Sequence, residues 1–150
     1  MLIIKIASHS LSHPYFSRLT TSQMYQEMKS NDDLIFDIIG VGPTHMRLPY
    51  LDSNDAILNA MHSFGFKVIS INLDSRDFEH TGSNAVLLNQ ASYDATMGAR
   101  TGRDSSFISL QHDFATNSPQ WVEAVIVNMR AKGFTLVTVA ECIGDSRPYR

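Results

Sequence analysis

The sequence KVISINL occupies residues 67–73 and is a short, almost continuous apolar run, which predicts a buried β-strand. A helical pattern precedes it, with Ser53 as the predicted N-cap and Gly65 as the stop. Polar residues follow it, beginning with Asp74 and Asp77. A helix followed by a strand of this kind is typical of a parallel sheet with helices packed outside it.

The same alternation continues along the chain in both directions. Further strands are predicted at Leu2–Ala7, Phe107–Leu110 and Phe134–Val139, with a weaker one at Thr44–Arg47. Further helices are predicted at about Thr21–Ile38 and Asn84–Met97, and from Ser118, the predicted N-cap, with Pro119 in the first turn. The sequence therefore predicts an α/β fold in one domain that spans residues 1–150.

Composition and charge exclude several kinds of partner. The formal net charge is −3 and the basic residues are scattered, so the chain has no electrostatic footprint for nucleic acid or an anionic membrane. No apolar run approaches the roughly 20 residues that a membrane-spanning helix needs. The first residues fit a buried strand better than a signal peptide. Cys142 is the only cysteine, so the sequence allows no internal disulfide.

Polar side chains suited to chemistry follow the predicted strands. Because ligands of parallel α/β folds gather at the carboxyl ends of the strands, these groups are expected to lie on one rim. They are His9, Ser10 and His13; Arg47, Pro49 and Tyr50; Asp74 and Asp77; and His112 and Asp113. Their convergence predicts the functional site more strongly than any one group does.

His9 and His13 are four residues apart at a predicted strand-to-helix junction. Residues at this spacing share one face of a helix, so both imidazoles could bind one divalent metal ion. Imidazole nitrogens suit zinc, cobalt or nickel. Two histidines are too few for a closed structural site, so a bound metal would keep open positions for water or substrate. The alternative is a pair of histidines that make only local hydrogen bonds.

Arg47 and His112 are candidates for substrate binding and proton transfer. The Arg47 guanidinium could form a bidentate pair with the carboxylate of Asp77 or Asp74, and a surface ion pair is the alternative. His112 follows the apolar run Phe107–Leu110, and near a carboxylate it could act as a general acid at neutral pH. The alternative for His112 is a structural histidine.

Four short motifs, in this order, resemble those of the NodB-type polysaccharide deacetylases. They are SHSLSHP at Ser8–Pro14, similar to H-[ST]-x-x-H; RLPY at Arg47–Tyr50, similar to R-x-P-Y; DSRDF at Asp74–Phe78, similar to D-x-x-D-W; and LQH at Leu110–His112, similar to L-x-H. The stretch LVTVAECIGD at Leu136–Asp145 is similar to fungal chitin deacetylases. The resemblance covers nearly the whole chain.

The resemblance implies a distorted parallel (β/α) barrel and metal-assisted hydrolysis of N-acetyl groups on a sugar polymer. It implies that His9 and His13 bind the divalent metal, expected to be zinc, with cobalt or nickel as alternatives. The partner would be chitin or a related N-acetylated oligosaccharide. The implied location is secreted or in the cell wall, although these 150 residues show no signal-peptide pattern.

The resemblance also implies roles for residues of the other motifs. The Tyr50 backbone N–H would stabilise the oxyanion. Asp77 would hold Arg47 and tune His112, and His112 would protonate the leaving amine. The two residues that would form the pocket are Leu110, for the acetyl methyl group, and Phe78, in place of the usual tryptophan.

One motif of the family is missing from the sequence. T-F-D-D-G, whose aspartates supply the general base and the remaining protein ligand of the metal, does not occur. We therefore expect a barrel that is incomplete at its N-terminus, weak zinc binding, and an exposed sheet edge that could pair with another copy of the chain. Cys142 fits truncation, because the corresponding cysteine of fungal relatives usually pairs with one near the N-terminus. Three hypotheses stay open: a slow deacetylase, an inactive carbohydrate-binding relative, and a truncated product.

Overall fold

The computed structural model describes residues 4–80, 82–113 and 118–150, with side chains from residue 121 onward in the last range. The helices are α1 (Thr21–Ile39), α2 (Asp55–Ser63), α3 (Ala85–Met97), α4 (Ser118–Ala131) and α5 (Val139–Cys142). The strands are β1 (His45–Met46), β2 (Lys67–Val68), β3 (Leu73–Asp74) and β4 (Ser109–Leu110). Two short 3-10 turns lie at Phe16–Arg18 and Pro49–Leu51.

The chain divides into two compact units. Unit 1 comprises the described residues up to Ser70 together with Thr138–Arg150, and unit 2 comprises Ile71–Val137. Each unit has its own parallel strand pair and its own apolar core. The prediction of a single domain stays a prediction.

In unit 1, β1 lies between two parallel neighbours. It pairs with β2 so that Met46 is opposite Val68. On its other side, Ser8 forms an isolated parallel bridge with Met46, and the Arg47 N–H donates to the Ser8 carbonyl at 3.0 Å. His9 and Arg47 therefore leave neighbouring extended segments at their carboxyl ends, where the sequence predicts functional residues.

Local signals in the sequence define the ends of α1 and α2. The Thr20 hydroxyl accepts from the Gln23 N–H while the Gln23 side chain accepts from the Thr20 N–H, which is a capping box. Gly40 ends α1 with φ +75°, a conformation that glycine adopts without steric cost. α2 begins one residue later than predicted, because Asn54 and not Ser53 is the N-cap and accepts a backbone N–H of the first turn at 3.0 Å.

The core of unit 1 is built from α1, α2, β1 and the loops beside them. Met24 and Met28 are four residues apart, so they bury one face of α1. The buried residues of this core are Phe16, Met24, Met28, Met46, Leu48, Ile57, Met61 and Phe66.

The carboxyl-terminal segment of the chain completes unit 1. The Gly42 N–H donates to the Arg150 carbonyl at 3.0 Å, and the Arg150 N–H donates to the Gly42 carbonyl at 2.8 Å. Asp145 lies beside two basic side chains, with its Oδ2 at 2.7 Å from His45 Nε2 and in an ion pair with Lys67. These contacts attach the segment to β1, β2 and the residues before them.

In unit 2, β3 and β4 are parallel, with Leu73 opposite Ser109 and Asp74 opposite Leu110. Gly102 lies against the backbone of Gly133, where an added Cβ would stand 2.1 Å from the Gly133 carbonyl oxygen, so only glycine fits. The buried core consists of Leu73, Tyr93, Met97, Trp121, Val125 and Met129.

Two predicted strands, at residues 67–73 and at Leu2–Ala7, differ from the structure. Residues 67–73 form β2 and the first residue of β3, which belong to different units. Residues 4–7, the described part of the predicted strand Leu2–Ala7, are not in a strand, because only Ser8 pairs with β1.

The predicted strand Phe134–Val139 is wrong. Thr138 is the N-cap of α5 and forms a capping box with Glu141, so the end of this apolar run turns into a helix. Ser118 is the first residue of α4, and the N-cap interaction predicted for its side chain lies outside the described side chains.

The α/β class predicted from the sequence is confirmed. Each parallel strand pair is two residues long, and within residues 4–80, 82–113 and 118–150 the strands form no closed barrel. Among the helices of these same ranges, none has both the length and the apolar character needed to cross a membrane.

Candidate active site

The two histidines of the first matching motif lie in an irregular loop of unit 1. Ser10 and His13 have positive φ angles of +65° and +58°, so the expectation that the histidines share a helical face is wrong. The loop nevertheless brings the rings of His9 and His13 together, with their centroids 4.8 Å apart and their planes at 78°. Close approach of the two imidazoles is therefore achieved by backbone conformation instead of helical periodicity.

Glu27 of α1 holds this loop in place. Its carboxylate accepts from the Leu11 N–H at 3.1 Å, the Ser12 N–H at 2.9 Å and the Ser12 hydroxyl at 2.7 Å. Burial would raise the pKa of Glu27, but the hydrogen bonds from Ser12 and Leu11 outweigh it and lower the pKa below its ordinary value. The carboxylate is therefore ionised at neutral pH and can accept all three bonds.

The ring of His9 is oriented by the backbone of the second matching motif. His9 Nδ1 lies 2.6 Å from the Arg47 carbonyl oxygen, which can only accept, so Nδ1 carries the proton of this bond. The lone pair of the neutral ring is then on Nε2. Metal-binding histidines are commonly oriented in this way, by a carbonyl that accepts from the other ring nitrogen.

The histidine pair fits part of a metal site. Catalytic zinc sites commonly have three protein ligands and an open position for water or substrate. His9 and His13 supply two nitrogen donors of the right kind. Among residues 4–80, 82–113 and 118–150, no group of three or more His, Cys, Asp or Glu side chains is placed to hold a metal ion. A third ligand is therefore not supplied by these residues.

The turn after β1 carries Tyr50 in a strained conformation. Tyr50 and Leu51 have positive φ angles of +58° and +55°, which cost about 1–3 kcal/mol each in residues other than glycine. The Tyr50 ring stacks on Tyr15, with centroids 3.9 Å apart, and meets the His13 ring edge to face at 4.6 Å. Each such aromatic pair contributes about 0.5–1.5 kcal/mol beyond area burial, so the contacts offset part of this strain.

Arg47 is half-buried beside the same turn. Burial lowers the pKa of its guanidinium, because the charged form loses hydration. A carboxylate partner would favour the charged form and restore the ordinary pKa. The predicted partners, Asp77 and Asp74, belong to unit 2, and the pairing of Arg47 with either of them stays a prediction.

In unit 2, Asp77 and His112 form a hydrogen-bonded pair after β3 and β4. Asp77 is 1% exposed, and its two carboxylate oxygens face the backbone N–H and the ring Nδ1 of His112, both at 2.7 Å. Burial would raise the pKa of Asp77, but the hydrogen bonds from the ring and the backbone N–H of His112 outweigh it and lower the pKa. Because an ionised carboxylate can only accept, Nδ1 of His112 carries the proton of its bond to Asp77. Any proton exchange between the ring and another group would then take place at Nε2.

The other residues of the third and fourth motifs surround this pair. Ser75 is buried, and its hydroxyl donates to the Leu110 carbonyl at 2.8 Å. Phe78 meets the His112 ring edge to face at 5.2 Å. The Asp74 carboxylate accepts from the Arg76 N–H at 2.9 Å and so stabilises the turn between the two aspartates.

The structure thus brings together two subsets of the predicted residues, one in each unit. Unit 1 assembles His9, His13, Tyr50 and the backbone of Arg47; unit 2 assembles Asp77, His112, Phe78 and Leu110. Sequence reasoning missed Glu27 and Tyr15. Neither belongs to a matching motif. Glu27 lies 15 residues along the chain from its partner Ser12, and Tyr15 lies 35 residues from its partner Tyr50.

Comparison with known proteins shows which class of protein this α/β chain is similar to. The family model for polysaccharide deacetylase matches residues 4–69. Chitin deacetylase of Colletotrichum lindemuthianum is 28% identical over 142 residues, covering 94% of this chain and 57% of that protein. Chitin deacetylase of a Pestalotiopsis species is 31% identical over 143 residues, covering 95% of this chain and 46% of that protein.

Solved structures give the same result for the fold. The structure of the Colletotrichum lindemuthianum chitin deacetylase superposes with a TM-score of 0.91 at 27% identity, covering 96% of this chain and 65% of that one. A carbohydrate esterase pseudoenzyme from Bacillus anthracis shares the fold, with a TM-score of 0.80, 13% identity, and coverage of 93% of this chain and 46% of that one.

Residues 4–69 thus match the polysaccharide deacetylase family model, and 94% or more of the chain is similar to chitin deacetylases in sequence and in fold. The chain spans 57% and 46% of the length of the two chitin deacetylases compared above.

Proposed function

We propose that this chain carries most of the active site of a metal-dependent deacetylase that removes N-acetyl groups from chitin or a related polysaccharide. The observation that carries the proposal is the histidine pair, in which His9 is held by the Arg47 carbonyl and faces His13 at 4.8 Å. Similarity to two fungal chitin deacetylases supports the substrate class. A distorted parallel (β/α) barrel and a secreted or cell-wall location are part of the same proposal.

In this proposal, His9 and His13 hold a divalent metal ion, zinc or alternatively cobalt or nickel. When bound, such an ion polarises the amide carbonyl and lowers the pKa of a bound water. The Tyr50 N–H donates to the oxygen of the scissile amide as negative charge develops there. The positive φ of Tyr50 is supported by the stacked rings, so this donor is held in one direction before substrate arrives.

His112 is proposed to protonate the leaving amine from its Nε2. The buried carboxylate of Asp77 fixes the other ring nitrogen, so the ring is held in one orientation. Leu110, which is 7% exposed, and Phe78, beside His112, supply apolar contacts for the acetyl methyl group. Arg47 is proposed to pair with a carboxylate, with Asp77 as the expected partner.

A second candidate function is carbohydrate binding without catalysis. The observation that favours it is the absence of a third metal-ligating side chain beside the histidines in the part of the chain that the structure describes. The fold does not decide between these functions, because a pseudoenzyme has the same fold.

Acetate release from chitin oligomers by the purified chain separates the two functions. Zinc-loaded and chelator-treated samples are compared, with His112→Ala as the inactive variant and His62→Ala, an exposed histidine of α2, as the matched control. The deacetylase proposal expects release that a chelator abolishes, that His112→Ala removes and that His62→Ala leaves unchanged. Absence of release from folded, zinc-loaded protein that still binds chitin oligomers would overturn it and favour binding alone.

A further inference from the structure

Tyr15 and Tyr50 form a face-to-face stack on the surface of unit 1. Their ring centroids are 3.9 Å apart and their planes are within 8° of parallel. The two residues are 39% and 55% exposed, so general burial does not hold the rings in place. Specific contacts with neighbouring side chains must therefore determine where these rings lie.

The stack is one part of a continuous series of side-chain contacts. The guanidinium of Arg18 lies over the Tyr15 ring, 4.6 Å from its centroid. The Tyr50 ring meets His13 at 4.6 Å, and His13 meets His9 at 4.8 Å. Tyr15 lies between Arg18 and Tyr50 in this series and contacts both of them.

The two loops that carry this series are joined on both sides of the stack. On one side, His9 Nδ1 donates to the Arg47 carbonyl at 2.6 Å. On the other side, the Ser17 N–H donates to the Asp52 carboxylate at 2.7 Å. Between these two bonds, the strained backbone at Tyr50 is held by two hydrogen bonds of its own turn, from the Leu51 N–H to the Leu48 carbonyl and from the Asp52 N–H to the Pro49 carbonyl. The Tyr50 side chain is held by its aromatic contacts.

We propose that Tyr15 is a positioning residue, which fixes the Tyr50 ring against His13 and thereby fixes the His13 imidazole and the direction of the Tyr50 N–H. None of the motifs that relate this chain to its family includes Tyr15, which follows Pro14. The positioning of the rings is independent of activity. The consequences for metal and oxyanion binding rest on the proposed function.

The positioning itself is tested by NMR of the metal-free, 150-residue chain. The His13 ring protons experience the ring current of Tyr50, so their chemical shifts report the distance between the two rings. Tyr15→Leu is expected to move these resonances, whereas Tyr15→Phe, which keeps the stack, leaves them in place. Tyr25→Leu is the matched control, because Tyr25 is 43% exposed and packs edge to face on Phe64 away from this loop.

Tyr15 lies on the surface, so Tyr15→Leu is expected to fold, and the circular dichroism spectrum checks this. Unchanged His13 shifts in folded Tyr15→Leu would overturn the proposal. Equal changes in Tyr15→Leu and Tyr25→Leu would also overturn it, because they would show a general loss of structure instead of a specific contact.

Zinc affinity, measured by chelator competition, tests the consequence for the histidine pair. Tyr15→Leu is expected to weaken binding about tenfold, at the low end of the effect of residues that orient metal ligands. Tyr15→Phe and Tyr25→Leu keep the affinity of the parent chain. An unchanged zinc affinity in Tyr15→Leu would show that Tyr15 does not position the histidines for metal binding. If the parent chain binds no zinc, the proposed function fails, while the NMR result still decides whether Tyr15 positions His13.

In a chain that releases acetate, the kinetic constants separate positioning from substrate contact. A positioning role lowers kcat about tenfold, less than the loss of an entire oxyanion donor, and leaves KM nearly unchanged. A raised KM with unchanged kcat would show that Tyr15 binds the sugar directly, and would overturn the positioning role.

Discussion

The carboxylate of Asp77 receives both the backbone N–H and the ring Nδ1 of His112, each at 2.7 Å. The two bonds join the turn after β3 to His112, the second residue after β4. Because Asp77 is buried and bound through both oxygens, it fixes the backbone and the ring of His112 together. Both hydrogen bonds of this pair are charge-assisted, since their acceptor is an ionised carboxylate.

Replacing Asp77 by Asn is expected to lower the free energy of unfolding at pH 7 by about 2 kcal/mol, the usual value for hydrogen bonds to a charged group. Urea unfolding measures this through fluorescence of Trp121, the only tryptophan of the chain, which is buried in unit 2. Asp113→Asn, an exposed aspartate beside the pair, is the control and is expected to change little.

The effect of Asp77 depends on pH in a defined direction. Its pKa is lowered in the folded chain, so its stabilisation is fully present above the ordinary carboxylate pKa of about 4 and is lost as the pH falls below that value. The parent chain is therefore expected to lose more stability than Asp77→Asn between pH 5 and the acid limit of folding. An equal loss in both proteins would contradict the assignment.

Replacing Glu27 by Gln is expected to loosen the loop between the two histidines. The variant keeps the shape of the side chain but replaces a charged acceptor of three hydrogen bonds by a neutral amide. Amide hydrogen exchange at Leu11 and Ser12 should become faster, and zinc affinity should fall about tenfold because the ligands lose their fixed geometry. Glu123→Gln, an exposed glutamate of α4, should leave both measurements unchanged.

Replacing Asp145 by Asn is expected to release the carboxyl-terminal segment from unit 1. The bond from Lys67, followed by those from the Arg147 N–H and from His45, lowers the pKa of Asp145 well below its ordinary value. The stabilisation is thus present above the ordinary carboxylate pKa and lost as the pH falls through the folded pKa.

Hydrogen exchange at the Arg150 amide, which donates to Gly42, measures this release. At pH 7 the exchange of Asp145→Asn is expected to be about tenfold faster, the effect of losing one charge-assisted hydrogen bond. The control is Asp37→Asn, an exposed aspartate of α1. Unchanged exchange at Arg150 would show that the backbone bonds alone hold the segment.

Replacing Asn89 by Leu is expected to destabilise unit 2. Asn89 is fully buried, and its amide fits best with the nitrogen toward His80 at 2.7 Å and the oxygen toward Trp121 Nε1 at 3.2 Å. Leucine would leave the buried indole N–H without this acceptor, at a cost of about 1–3 kcal/mol. Urea unfolding followed by circular dichroism measures the change, and Asn128→Leu, which removes one exposed 3.3 Å bond to Asp94, is the control.

Several elements of the fold could be predicted closely because their signals are local. α1 was predicted at Thr21–Ile38 and extends over Thr21–Ile39, and α3 differs from its prediction by one residue. The predicted strand at Phe134–Val139 was wrong, although the sequence contains a signal for α5, the helix that begins at Val139. The capping pair Thr138 and Glu141 lies inside the apolar run, and the capping interaction decides the backbone there.

For the candidate site, the sequence predicts a set of residues whose roles stay predictions, and it does not predict their geometry. The spacing of His9 and His13 indicated a shared helical face, whereas a loop with positive φ angles brings them together. Glu27 and Tyr15 were not predicted, because a carboxylate on a helix and an exposed tyrosine carry no signal until their partners are known.

The sequence by itself determined the α/β class, the positions of most helices and the motifs of the polysaccharide deacetylase family. These features depend on hydrophobic periodicity, caps and residue types at short spacing, all of which act within a few residues. Only the tertiary structure decided that the Arg47 carbonyl orients His9 and that Glu27 holds the histidine loop. The same is true of the two hydrogen bonds by which the Asp77 carboxylate binds the backbone N–H and the ring of His112. These contacts join residues 15 to 38 positions apart, so they exist only once folding has brought the elements together.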